Sequence, residues 1–184
     1  MKNHKMFFFA ILLMGVCTVS AQDFTTKGIW EIGGTISYTS QTAVSNGKTA
    51  EHAYNTFALH VPVYYFVIDG LEVGLIPEYD NVSYGDNSSS LFAFSAGVAY
   101  NFNTRSNAYP FFEGRIGYNS ESDGSTLSGI LWSLRGGAKI RVGGNALLGI
   151  GLFYEQRTLE SSGHVGDRNG INTWGFDAGF GVFF

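Results

Sequence analysis

The sequence predicts an all-β chain, an eight-stranded antiparallel up-and-down transmembrane β-barrel, and three observations predict it. Apolar residues recur at every second position in eight segments, never at the third-and-fourth spacing of a helix. Charged residues make up 14% of the 184 residues and aromatic residues 16%, against roughly 25% charge in an ordinary soluble domain. The stretches that join the segments alternate between short and longer ones, as in a barrel with tight turns on one side of a membrane and longer loops on the other.

Ahead of the strands, Lys2 and Lys5 precede an apolar run from Met6 to Val16 that is too short to span a bilayer, and Val19-Ser20-Ala21 is a small-residue cleavage site. Residues 1–21 are expected to be a cleaved signal peptide, cut between Ala21 and Gln22, leaving residues 22–184 as the barrel domain. Cys17 is the chain's single cysteine. Its alternative reading as a lipidated residue is weakened by Val16, where a small residue is usual. Its removal with the signal leaves no disulfide and no thiolate metal site. With 11 basic against 15 acidic residues, the chain has no basic patch for nucleic acid.

The strands follow in order. On one parity stand Trp30, Ile32, Ile36 and Tyr38; then Phe57, Leu59, Val61, Val63 and Tyr65; then Leu71, Val73, Leu75 and Tyr79; then Phe92, Phe94, Val98, Tyr100 and Phe102. Phe112, Ile116 and Tyr118 mark the fifth, Ile130, Trp132, Leu134, Ile140 and Val142 the sixth, and Leu148, Ile150, Leu152 and Tyr154 the seventh. The eighth runs through Trp174, Phe176, Ala178, Phe180, Val182 and Phe184.

The opposite parity collects glycines and charges of both signs: Glu31, His60, Glu72, Glu78, Asp80, Glu113, Arg115, Arg135, Lys139, Arg141, Glu155, Arg157 and Asp177. An eight-stranded barrel is just wide enough for side chains to fill it, so this parity is expected inside, as a closed, paired charge network. The aromatic parity then forms a lipid-facing belt, with Trp and Tyr gathered at strand ends as interfacial girdles. Two alternatives stay open: a narrow porin-like passage through the charged lumen, and a soluble lipocalin-like binding barrel with the faces exchanged.

Opposed residues in a hairpin share a face, so Val67 and Leu71 predict a three-residue turn, Ile68-Asp69-Gly70, with Gly70 at positive φ. By the same rule Gly143-Gly144-Asn145 joins Val142 to Ala146. Glu78 falls opposite His60. The longer connections are expected at about 39–53, 83–90, 120–126 and 159–169. Pro62 and Pro77 lie inside strands, where each removes a ladder donor, and a bulge or local water is expected there.

The closing stretch WGFDAGFGVFF resembles the last strand of the small outer-membrane barrel family that includes OmpX, the opacity proteins and the OmpA barrel domain. The resemblance extends by architecture over residues 22–184. It implies that Phe176, Phe180, Val182 and Phe184 carry the signal read by the barrel-assembly machinery. It also implies periplasmic chaperones and outer-membrane lipids as partners, both termini in the periplasm, and a role in envelope integrity or adhesion, with an extracellular ligand possible through the loops.

No catalytic, metal or cofactor site is expected. His52, His60 and His164 share no ligand spacing with a carboxylate. Acyl chemistry would need a serine, a histidine and an acid together at the rim; Ser40, Ser45 and Ser88 to Ser90 are available, but His52 has only its neighbour Glu51 beside it. The stretches GDRNGIN and YGDNSSS lack the ligand spacing of a calcium loop.

Overall fold

The computed structural model describes residues 23–45, 48–85, 87–123, 125–161 and 169–184. Residues 1–22, with the expected export signal, its cleavage site and Cys17, lie outside this set, as does His164.

Nine strands form one sheet: β1 (Trp30–Ser45), β2 (Lys48–His60), β3 (Val63–Ile68), β4 (Leu71–Tyr84), β5 (Asn87–Asn101), β6 (Ala108–Asp123), β7 (Ser125–Arg141), β8 (Ala146–Ser161) and β9 (Asn169–Phe183). Strands β2 and β3 are two halves of one stave, since both pair with β1 and with β4. Each stave pairs antiparallel with the next, and β9 returns to β1. The result is a closed eight-stave barrel in which the start of β1 and the end of β9 meet at one mouth, where Trp30 and Phe184 exchange backbone hydrogen bonds of 2.8 and 3.0 Å.

The division of stave two has a local cause. Pro62 has no N–H, and it interrupts the strand at Val61-Pro62 without moving the register: Thr35 faces His60 before the break and Ile32 faces Val63 after it. Pro77 sits within β4 with no bulge and no strand end. The expected irregularity is therefore a gap in hydrogen bonding alone.

The faces fall as the alternation requires. Phe92, Phe94, Phe112, Ile116, Ile130, Leu152, Trp174 and Phe176 are exposed, Phe176 to 80%. Glu31, Glu72, Glu78, Glu113, Lys139 and Glu155 are buried. A lipocalin-like arrangement would need the reverse, and the chain does not adopt it. Aromatic pairs knit neighbouring staves on the outer face, Trp30 with Tyr65 and Tyr79 with Phe92 near 4.9 and 4.8 Å between ring centroids.

Connections differ from expectation in two ways. The stretches read as longer loops are mostly ladder: Ser45 pairs with Lys48, Tyr84 with Asn87, and Asp123 with Ser125. β8 and β9 pair as far as Leu159 and Asn169, and residues 162–168 between these strands lie outside the described set. In these extensions serine, threonine and asparagine occupy both parities, so the hydropathy period vanishes while the hydrogen-bond ladder goes on. The second difference lies at Asp69-Gly70. Ile68 pairs with Leu71 around a two-residue turn, and Val67 forms a bulge that restores the parity expected of a three-residue turn. Gly70 has the expected positive φ, +80°. At the other tight turn Val142 N–H donates to Ala146 O at 3.0 Å across Gly143-Gly144-Asn145, as expected.

Candidate functional site: the charged lumen

Period-2 alternation aims every second side chain of all the staves at a common axis, and in this chain those side chains are acids, bases and amides. They assemble in three tiers, counted from the mouth where Trp30 meets Phe184.

In the first tier Lys139 is buried between two carboxylates. Its Nζ donates to Glu31 Oε2 at 2.5 Å and to Glu72 Oε1 at 2.6 Å. Asn101 Nδ2 also donates to Glu72 Oε1, at 2.9 Å. The ammonium lies over the rings of Phe24, Tyr64 and Phe111 at 5.2 to 5.6 Å, a cation–π setting that helps replace its lost hydration.

The second tier is Arg135, whose Nη2 donates to Asp177 Oδ1 at 2.7 Å while its Nη1 lies 3.7 Å from Glu113 Oε2. Its guanidinium also stacks on Phe111 at 4.9 Å.

The third tier is a ladder of alternating charge. Arg115 bridges Glu78 and Glu155, and Nε of Arg115 donates to Ser133 Oγ at 2.6 Å. Arg157 bonds Glu155, Glu78 Oε2 at 3.0 Å and Asp80 Oδ2 at 3.1 Å. Glu78 thus receives two guanidinium groups with no side-chain exposure. His60 closes the tier against Asp80 Oδ1 at 3.4 Å.

The residues named from the sequence all project inward, with two differences in partnership. His60 stands opposite Glu78 in register, yet its ring reaches diagonally to Asp80 because Glu78 is saturated by Arg115 and Arg157. Arg141 does not join the tiers. It sits at the mouth, where its Nε donates to Gly144 O at 2.7 Å and its guanidinium covers Phe183 at 5.1 Å. The proposed assembly residues Phe176, Phe180 and Phe184 are exposed on the outer face and Val182 is half-buried on the same parity.

Sequence reasoning missed the lumen's aromatic members. Tyr64 is buried on the inner parity, lying against Gly74 and Gly97, where a methyl group would collide with its ring or hydroxyl. Phe66 and Phe111 are likewise inward and buried, beside Asn101, whose inward parity the alternation does give. Their parity was the available signal, overridden by the habit of assigning aromatic rings to the lipid side.

A closed eight-stave antiparallel meander with an apolar exterior and an ion-paired interior defines the fold of the small outer-membrane β-barrels. Among solved structures, the chain is similar to Neisserial surface protein A, with 20% sequence identity and a TM-score of 0.56 over 85% of this chain and 97% of that one. It is also similar to the outer membrane protein OprG from Pseudomonas aeruginosa, with 14% identity and a TM-score of 0.53 over 87% and 97% of the two chains. At these identities the likeness is one of fold. No protein-family model matches the chain, and no curated protein sequence matches it significantly.

Proposed function

We propose that the chain is an integral barrel of a bacterial outer membrane with a structural or surface-interaction role, in envelope integrity or adhesion, and no reaction of its own. The observation that carries this reading is the inversion of its surfaces. Phenylalanine, tryptophan and leucine face outward while carboxylates and guanidinium groups are buried in pairs, the opposite of a protein folded in water and what a hydrocarbon solvent demands. The fold shared with outer-membrane proteins supports the same location. In this reading residues 1–21 direct export and are removed after Ala21, and both termini lie in the periplasm. Phe176, Phe180, Val182 and Phe184 meet the assembly machinery, periplasmic chaperones escort the unfolded chain, and lipids cover the belt. The hairpin tips beyond the belt then carry any contact with an extracellular ligand.

Three tiers of paired charge line the bore beneath the aromatic cluster at its mouth, which favours a closed resting interior over a standing pore. The test is gel mobility of the membrane fraction in detergent with and without boiling. A faster unboiled band is expected from a detergent-resistant barrel, whereas a single mobility with the protein in the aqueous fraction would overturn the reading.

A further inference from the structure

Residues Asp23–Gly28 show no alternation, and they turn back into the mouth where Trp30 meets Phe184. Phe24 is completely buried there. Its ring meets Phe66 and Tyr109 edge-on at 5.1 Å and Phe183 at 5.3 Å, and Ile29 and Leu147 complete the cluster. The backbone is tied to β3 and the turn after it: Gly70 N–H donates to Thr25 O at 2.8 Å, Gly28 N–H to Phe66 O at 2.9 Å, and Lys27 N–H to Asp69 Oδ1 at 2.8 Å. Asn103 Nδ2 donates to Asp23 Oδ2 at 2.6 Å, and Tyr109 Oη donates to Asp23 Oδ1 at 3.3 Å. Six residues outside the strands thus join β3, β6, β9 and two turns.

Two further observations give the arrangement a direction. Above Phe24 the lumen changes character at once, from an aromatic cluster to Lys139 and the charged tiers. Beside this transition Gly33, Gly149 and Gly181 leave a small cavity that reaches from Leu147 of the cluster to Glu31 and Lys139. Those tiers hold seven carboxylates, Glu31, Glu72, Glu78, Asp80, Glu113, Glu155 and Asp177, against the four permanent cations Arg115, Arg135, Lys139 and Arg157. An aromatic constriction blocks ions by excluding water, and a ring of excess carboxylate selects cations once water is admitted.

We propose that Asp23–Gly28 is a plug whose withdrawal admits water and small monovalent cations to the lumen. The inference rests on the membrane reading above and adds to it a latent, cation-preferring passage.

Planar-bilayer recordings in potassium chloride on protein purified from membranes test it, with unboiled gel mobility run on every sample. Deletion of residues 23–28 is expected to raise conductance by about tenfold or more over the unaltered protein, with a reversal potential favouring potassium over chloride. Phe24→Ala gives a smaller increase in the same direction. Cysteines placed at Asp23 and Asn103, whose side chains touch, abolish openings when oxidised and restore them on reduction. A deletion variant that keeps the fast unboiled band yet conducts no more than the unaltered protein overturns the plug, and chloride preference overturns the charge argument. If the deletion fails to fold, Phe24→Ala and the cysteine pair decide. Loss of the fast band in the unaltered protein would instead defeat the membrane reading.

Discussion

Val61 and Pro77 face each other across the junction of β2 and β4 and exchange one hydrogen bond where such a pair ordinarily exchanges two. Val61 N–H donates to Pro77 O at 3.0 Å, and Pro77 has no N–H to return. On the other side of the same stave Gly33 N–H donates to Pro62 O at 2.9 Å, and Pro62 returns none. Two missing ladder bonds therefore fall at adjacent residues of stave two, one at Val61 O and one at Pro62 N, a concentrated weak point where hydrocarbon offers the backbone no substitute.

Pro77→Val should supply the donor for Val61 O while keeping an outward apolar side chain. The expected gain is about 0.5–1.5 kcal/mol, read as a higher urea midpoint in lipid vesicles. An unchanged or lower midpoint would show that the gap is already compensated.

Lys139→Met leaves Glu31 and Glu72 buried against each other without their shared cation. A loss of about 3–5 kcal/mol is expected from breaking such a cluster. Combining it with Glu31→Gln and Glu72→Gln should recover most of that loss, because the uncompensated charge goes with it. Denaturant unfolding of the single and triple variants checks both statements.

Ile150 lies midway along β8 on the outer face, between Ala146 at the mouth and Tyr154. A lysine there should cost about 2–4 kcal/mol in a bilayer, while Ser120→Lys, beyond Tyr118 on β6, should cost about 0–1 kcal/mol. Equal costs at the two positions would contradict the placement of the belt.

Phe184→Ala preserves the backbone bonds to Trp30 and removes only the terminal ring. Refolding of the purified chain into detergent should be nearly unaffected, whereas the amount of folded barrel in cells should fall severalfold. Quantifying the unboiled band in both settings separates assembly from stability; a parallel loss in both would make Phe184 a packing residue.

How far the sequence could be read follows from what each residue pair depends on. Alternation alone places Glu72 inside and Val73 outside, because a strand gives a side chain only two directions. Register across the Pro62 break was likewise accessible, since His60 opposite Glu78 follows from parity and turn length. Choice of ion partner was not: His60 reaches Asp80 because two arginines from distant staves claim Glu78, a fact of closure that no local spacing contains. Nor could the hairpin extensions be seen, because Ser88, Ser89 and Ser90 read alike whichever face they occupy. Phe24 and Phe183 escaped for a third reason: one belongs to a segment without period, and the other interrupts its parity as an inward ring among glycines.

The short closing ladder bears on how the molecule folds. Every stave, β9 included, pairs with its neighbour in sequence, so the hairpins can form with little loss of chain entropy. The β1–β9 register is different: it comprises Glu31 with Phe183, Ile32 with Val182, Gly33 with Gly181 and Gly34 with Phe180, drawing together residues from opposite ends of the chain. Pairing of that separation is slow because loop-closure entropy is spent before any contact repays it. The barrel should therefore be zipped almost to completion as an open sheet, with the seam as the late, rate-limiting event.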